Sequence, residues 1–463
     1  MIRYAILGLA AAALAACGSD EKGKSPYPDK DPFPSTYTPY PSDNIIITNA
    51  TILTGTGEKI EGGTLTIVDG EIAQVGPGGR VGEPRGYTVI DAEGRYVTPG
   101  IIDLHSHLGV YPSPSNASTS DGNEATSPNT AGVWAEHSIY PQDAGFGRAL
   151  AGGTTTLHIM PGSANLFGGR TVTVKNVPAR TVQDMKFPDA PYGIKMACGE
   201  NPKRVYRNSG PSTRMGNFRG YRRAWIEAQA YQDQWDAYAA AVEAGEGGTA
   251  PRRDLEKETL AGVLAGEIIV HMHCYRSDEM VQVLDMADEF GYEIGTFHHA
   301  IEAYKIADYL AEDDVCAAVW ADWWGFKFEA YDSVRANAAL VDAQEGGCAV
   351  IHSDDPNGVQ RLNQEAAKAM ADGNAIGLDI TPEEAITWIT RNPARAAGIL
   401  DQTGTLEVGK DADFVLWDGD PFSVYGRPSQ VYIDGALLFD RDDQANQPIF
   451  DFELGQSSRE GLY

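Results

Sequence analysis

Apolar and polar positions divide the chain into three stretches. Over residues 44–98, short β-rich runs punctuated by glycine (NIIITNATILTG, GTLTIVDG, EIAQVG, YTVIDA) predict an antiparallel β unit with tight turns. DADFVLWDGD and SQVYIDGALLFD, near the other end, have the same texture. Between them, from Thr98 to about Asp401, strand-like and helix-like segments alternate. The strand candidates are GIIDLHSH, TTTLHI, TVTVKN, GIKMAC, EIIVHMH, YEIGTFHH, CAAVWA and CAVIHSD. Eight strands interleaved with helices are what a (β/α)8 TIM barrel, an α/β fold, requires. The helices are clearest after the fifth strand, where SDEMVQVLDMADEFG, EAYKIADYLAED and TPEEAITWITRNPARAAGI repeat apolar residues with a 3.6-residue period. Thr381 before Pro382-Glu383-Glu384 makes an N-cap followed by proline and acids in the first turn. A long polar-aromatic helix, Phe218–Ala244, is inserted between the fourth and fifth strands as a lid or contact surface.

Composition narrows the class of partner. The 463 residues include 36 Lys+Arg against 65 Asp+Glu, a net charge of −29. That excess argues against nucleic acid, whose phosphates need cations, and against electrostatic docking on anionic lipid. Hydrophobic residues make up 42% and charged residues 22%, a globular balance.

The N-terminus changes the picture. MIRYAILGLAAAALAAC has one arginine, then an apolar run shorter than the ~20 residues of a spanning helix, and reads as a secretory signal. Leu14-Ala15-Ala16-Cys17 resembles the bacterial lipobox, which makes Cys17 the expected lipidation site and residues 1–17 a lipoprotein signal peptide. Residues 18–43, rich in Pro, Ser, Asp and Lys, suit a flexible tether. The expected location is the cell envelope, lipid-anchored and periplasm-facing or extracellular, with the lipid as the one membrane contact. Of the other cysteines, Cys198, Cys274, Cys316 and Cys348, none forms a C-x-x-C pair. Export permits a disulfide such as Cys316–Cys348, but spacing does not define pairing, and the four are expected as buried small apolar side chains.

The histidines carry the chemistry. His105 and His107 close the first barrel strand as H-x-H, on one face because strand side chains alternate. His271 and His273 repeat the device on the fifth strand. His298-His299 ends the sixth, where adjacent residues face oppositely and only one can be a ligand; Asp354 ends the eighth. Barrel enzymes work at the C-terminal ends of their strands, so four strands deliver metal-competent groups to one rim. His352 is expected as packing deeper on the Asp354 face, and His137 and His158 as structural or peripheral.

PGIIDLHSH, NPARAAGILDQTGTLEVGKDADFVLWDGDP and the flanking β segments resemble the amidohydrolase superfamily. GENPKRVY, HCYRSDE and HHAIEAYKIAD resemble its branch related to imidazolonepropionases and metal-dependent dipeptidases. The resemblance runs from about Asn44 to Asp440. It implies a (β/α)8 barrel over 99–402 with a helical insertion at 217–245, a small β-sandwich composed of 44–98 and 403–440, and a tail over 441–463. It further implies a divalent metal, zinc, as one or two ions held by His105, His107, His273, His299 and Asp354, with Asp354 also the general base. His271 sits farther from its strand end and is the lesser candidate. A second ion needs a bridging carboxylate, and Glu200, already an anion just beyond the fourth strand, is favoured over a carboxylated Lys195. The two have opposite parity and cannot both point inward without a bulge.

A bound cation lowers the pKa of its water from ~15.7 to ~7, and Asp354 would move the proton to a leaving nitrogen. Hydrolysis of an amide is the first reading, the substrate a small molecule such as an N-acyl amino acid, dipeptide or cyclic imide. A deaminase or amidine hydrolase on the same scaffold is the alternative, and a non-catalytic binding lipoprotein the third. Tyr275, Arg276 and Arg204 are candidates for substrate binding, an arginine at a barrel mouth being suited to a carboxylate. Assembly into a homo-oligomer is left open.

Cys17→Ser, expressed with its signal, is expected to lose membrane association. A variant that still pellets with membranes in high salt would show that lipid is not the anchor.

Overall fold

The computed structural model describes residues 25–79, 84–323 and 325–447. The signal, Cys17 and the end of the tail lie outside the described residues. No helix among the described residues is long and apolar enough to cross a membrane. The first five strands are β1 (Asn44–Leu53), β2 (Lys59–Val68), β3 (Glu71–Pro77), β4 (Tyr87–Asp91) and β5 (Tyr96–Pro99). Nine inner strands follow: β6 (Ile101–Ser106), β7 (Thr154–Ile159), β8 (Phe167–Arg170), β9 (Val172–Lys175), β10 (Gly193–Ala197), β11 (Ile269–His273), β12 (Ile294–His298), β13 (Cys316–Val319) and β14 (Ala349–Ile351). The last three are β15 (Phe414–Trp417), β16 (Pro428–Ile433) and β17 (Ala436–Asp440).

The two chain ends share one eight-stranded sheet of order β17-β16-β15-β5-β1-β2-β3, with β4 on β1. β1, β2 and β3 form the expected antiparallel meander, whereas β4 and β5 both pair with β1 in parallel. The seam between the ends is β5 on β15, with Pro99 opposite Phe414. Ile47, Ile52, Leu65, Ile67 and Phe414 are fully buried in its core.

The inner strands form two further sheets, β14-β13-β12-β11-β10-β8 and β6-β7-β9, and among the described residues no sheet closes on itself. The whole is mixed α/β. Every predicted inner strand is present, but the third runs the other way. β8 pairs antiparallel with β10, and β9 antiparallel with β7. The physical reason is the connection. Only residues 160–166 join β7 to β8, too few for the crossover that a parallel pair requires. The regular alternation of strand and helix therefore fails at this point.

Ser277–Phe290 buries Met280, Val283, Ala287 and Phe290 at helical spacing and stops at Gly291, whose φ of 74° supplies the left-handed cap. TPEEAITWITRNPARAAGI is not one helix. The Thr381–Glu384 capping box starts Pro382–Ala385, a 3-10 turn covers Ile386–Ile389, and Arg391–Ala396 follows. Pro393 has no N–H to offer the Ile389 carbonyl, and the chain breaks at Thr390, before the helix that holds the proline in its first turn. The inserted helix, Arg214–Glu243, packs Tyr221, Trp225 and Trp235 inward and lies along Leu255–Leu264.

All four cysteines are buried as expected, but as disulfides rather than free thiols. Cys198–Cys274 joins the ends of β10 and β11, and Cys316–Cys348 joins the starts of β13 and β14.

Residues 25–43 have no regular structure, yet they lie along the body through named contacts. Asp31 takes the buried Lys186 ammonium at 2.9 and 3.0 Å, and the Phe33 carbonyl accepts from it at 2.8 Å. Tyr37 donates to Asp434, a member of the buried group in which Lys175 meets Asp411 at 2.7 Å and Asp434 at 2.5 Å. From Ser25 onward this stretch is a strap as well as a connector. Asp31→Asn leaves Lys186 with Glu136, 3.3 Å away, as its only carboxylate among the described residues. Because Asp31 is 38% exposed, the expected loss is modest, about 1–2 kcal/mol, read as a lower urea midpoint with an unchanged slope. An unchanged midpoint would show that the segment rests on the surface without bracing it.

Candidate functional site

β6 ends with His105 buried inside and His107 just beyond, so their Nε2 atoms come within 3.3 Å of each other. β14 is brought alongside by the Asp354 N–H, which donates to the His105 carbonyl at 3.0 Å, and by the Ser353 N–H on the Asp103 carboxylate at 3.1 Å. Asp354 then sits with Oδ1 3.1 Å from His107 Nε2 and 3.4 Å from His105 Nε2. Its φ is 55°, as is that of His299. Left-handed backbone is uncommon for residues other than glycine and concentrates at functional sites. His299 Nε2 lies 3.9 Å from Asp354 Oδ2, and the rings of His273 and His299 are 4.8 Å apart. β10 contributes Lys195, wholly buried, with Nζ 3.1 Å from His105 Nε2.

His298 ends β12, and His299, just beyond it in left-handed backbone, takes a different direction. His299 faces the mouth, and His298 faces inward, Nδ1 to Nδ1 with His105 at 2.9 Å and Nε2 to His271 Nδ1 at 3.0 Å. His271 is thus deeper than His273 and stacks on His158 at 4.3 Å. His352 lies against His105 with ring centroids 5.1 Å apart, and neither of its nitrogens has a partner among the described residues. His105, His299 and His352 form a second group with ligand atoms mutually within 4.8 Å, so His352 is more than distant packing.

Burial decides the charge state of this cluster. It holds His105, His271, His273, His298 and His299 well below the ordinary imidazole value and pulls His158 and His352 down to about 3. The rings are neutral at pH 7, the state in which imidazole binds metal. Burial also lowers the Lys195 ammonium to about 7. That shift favours the free amine, the form that reacts with carbon dioxide to give a carbamate.

The protons are arranged to match. His107 Nδ1 donates to the Met160 carbonyl at 2.8 Å, leaving the Nε2 lone pair aimed at Asp354 and His105. With its own Nε2 lone pair in the cluster, His105 donates from Nδ1 to His298, and His298 donates from Nε2 to His271. The last proton is on His271 Nε2, which meets no acceptor among the described residues. The donor set of neutral imidazoles and one carboxylate fits a divalent cation such as zinc.

Glu200 does not reach this cluster. β10 ends at Ala197, the chain turns at Gly199 with φ 72°, and Glu200 is the first residue of the helix Glu200–Val205. Its carboxylate is 3.6 Å from Lys327 and lines a separate charged cavity. Glu200, the favoured bridge, thus faces Lys327, whereas Lys195, the alternative, is in contact with His105. Two of the substrate-binding candidates lie apart from the cluster. Arg276 turns away to form two 2.8 Å bonds with Asp278, and Arg204 is exposed outside the mouth cavity. Tyr275 does line that cavity, which has a volume of about 660 Å³ above His107, His273, His299 and Asp354. Its other walls were not foreseen: Tyr111, Asn201, Trp320, Trp323, Phe326 and Lys327. Asn201 stands in the quoted GENPK and was within reach of sequence reasoning; the others come from loops without a motif.

Residues 325–451 match the family model described as the amidohydrolase family. Amidohydrolase tasK of Hapsidospora irregularis is 35% identical over 401 residues; the alignment covers 82% of this chain, which spans only 39% of that protein. The imidazolonepropionase of Brucella anthropi is 26% identical over 81% of this chain and 92% of its own. The crystal structure of an amidohydrolase from Thermotoga maritima superposes with a TM-score of 0.77 at 33% identity, covering 86% of this chain and all of that one.

Metal per chain, measured after reconstitution, is the direct check. Glu200→Gln is expected to retain the wild-type content, and Lys195→Ala to lose metal. His298→Leu, which deprives His105 of its acceptor, is expected to bind roughly 10–100-fold more weakly. Loss in Glu200→Gln with retention in Lys195→Ala would return the bridge to the carboxylate.

Proposed function

The chain belongs to the amidohydrolase superfamily, and from that membership we propose that it is a metal-dependent hydrolase of C–N bonds. The observation that carries the reading is the convergence of His105 Nε2, His107 Nε2, Asp354 Oδ1 and Lys195 Nζ at separations of 3.1–3.4 Å, beside a cavity. We read the two inner sheets as arcs of one (β/α)8 barrel. In support, the Thr171 N–H donates to the Gly193 carbonyl at 2.9 Å on one side, and Asp354 bonds β6 on the other. The shared sheet of the chain ends is read as the β-sandwich.

His105, His107, His273, His299, Asp354 and a carboxylated Lys195 are the proposed ligands of one or two zinc ions. A cation held there supplies Lewis acidity and makes water a nucleophile at neutral pH. Asp354 accepts the proton released by the attacking water and delivers it to the leaving nitrogen, so amide and water become carboxylate and amine. The Tyr275 hydroxyl, kept protonated by burial, is a donor for the developing oxyanion. Lys195 at the cluster favours the amide hydrolase over the deaminase, which needs no bridge. The complete ligand set speaks against a purely binding protein. N-acyl amino acids, dipeptides and cyclic imides remain the proposed substrates. The two disulfides support the proposed export, with Cys17 as the lipid anchor.

The test is amine release, followed with ninhydrin, from a panel of such amides. Asp354→Asn is expected to reduce kcat at least ~10³-fold with the fold retained, and chelation to abolish turnover. Ammonia release without amine would favour the deaminase, and normal turnover in Asp354→Asn would remove the base.

A further inference from the structure

The loop after β13 builds one wall of the mouth almost entirely from aromatic rings. Trp320 stacks on His299 at 4.4 Å, Trp323 stacks on Trp320 at 5.6 Å, and Phe326 meets Trp320 edge-on at 5.7 Å. Tyr275 faces Phe326 from β11's side at 6.4 Å. Trp323 and Phe326 remain 37% and 55% exposed, so this surface is apolar and open to what enters. Into it projects one cation. Among the described residues lining the cavity, Lys327 is the only lysine or arginine.

Lys327 is poorly compensated. Its Nζ lies 4.5 Å above the Tyr275 ring and donates to Asn201 Oδ1 at 3.0 Å, a neutral acceptor. The nearest carboxylate, Glu200, is at 3.6 Å, beyond a good charge-assisted bond. Of the cavity's own acids, Asp322 is taken by Lys368 at 2.9 Å and Asp354 by the histidines. An ammonium has three protons to donate, and Asn201 takes one. The position is also telling. Asn201 Nδ2 approaches His273 Nε2 at 3.3 Å, so a single short side chain spans from a proposed ligand to Lys327.

Resting on the hydrolase reading, we propose that Lys327 seats a substrate carboxylate while Trp320, Trp323 and Phe326 take an apolar side chain. The substrate class is then an N-acylated aromatic or large aliphatic amino acid, or a peptide ending in one. Lys327 determines specificity, the role assigned from sequence to Arg276 and Arg204.

The test uses the metal-loaded protein and two ligands without a hydrolysable bond, 3-phenylpropanoate and 3-phenylpropan-1-ol, titrated calorimetrically. Wild type is expected to bind the acid at least tenfold more tightly than the alcohol. Lys327→Met should weaken the acid at least tenfold and leave the alcohol within twofold, and Lys327→Arg should keep the preference for the acid. No acid binding, equal affinities in wild type, or an acid affinity unchanged in Lys327→Met would overturn the assignment. The last result would put the carboxylate on the metal cluster instead. Turnover of N-acetyl-L-phenylalanine, measured in parallel, separates the two proposals. Acid preference without any amide turnover sinks the hydrolase and spares the carboxylate seat, whereas turnover without the preference does the reverse.

Discussion

Seven imidazoles, those of His105, His158, His271, His273, His298, His299 and His352, are buried among the inner strands, where branched aliphatic side chains ordinarily pack. A charge there would be costly to desolvate, so the rings are neutral, and a neutral ring has one donor and one acceptor nitrogen. Neighbouring rings must therefore agree on where each proton goes. The agreement starts at the Met160 carbonyl for His107 and runs through His298 and His271 for His105. The geometry of the mouth follows from it, because this arrangement turns the Nε2 lone pairs of His105 and His107 towards the point where Asp354 and Lys195 meet them. The left-handed backbone at His299 and Asp354 is compatible with this only because both residues are held from several sides.

Around that polar interior the chain is cross-braced. One disulfide joins β10 to β11 beside the mouth, and the other joins β13 to β14 at the opposite ends of the strands. At the far side, Lys175 and Lys186 draw carboxylates from remote parts of the chain into buried ion groups. Breaking such a group strands a charge in low dielectric, which makes these contacts more consequential than pairs on the surface.

Much of this was legible in the residues. Eight of the nine inner strands could be recognised as apolar runs, and β6, β11 and β12 carry a histidine at or next to their ends. What failed was non-local. The direction of β9 depends on how short the link from β7 is, and a β-rich run reads the same both ways. The parity argument correctly allowed only one of Lys195 and Glu200 to point inward. The preference for Glu200 rested on its charge and its place just beyond the strand, whereas the strand stops at Ala197 and Gly199 carries the chain away. Lys327 and the aromatic wall carry no signature, since a loop's position is decided by what it lands on. The strap was read as a tether because Pro, Ser and Asp describe disorder equally well until a buried lysine supplies the partner.

The strap also has a polarity. Its Lys30 pairs with Glu267, just ahead of β11, and its Asp31 accepts from Tyr192, just ahead of β10. Both contacts are at the starting ends of strands whose finishing ends carry the cluster. At Lys30 and Asp31 the strap accordingly runs along the face opposite the cavity. A bead, an electrode or a fusion partner attached there holds the molecule by its back, with the entrance pointing into solution.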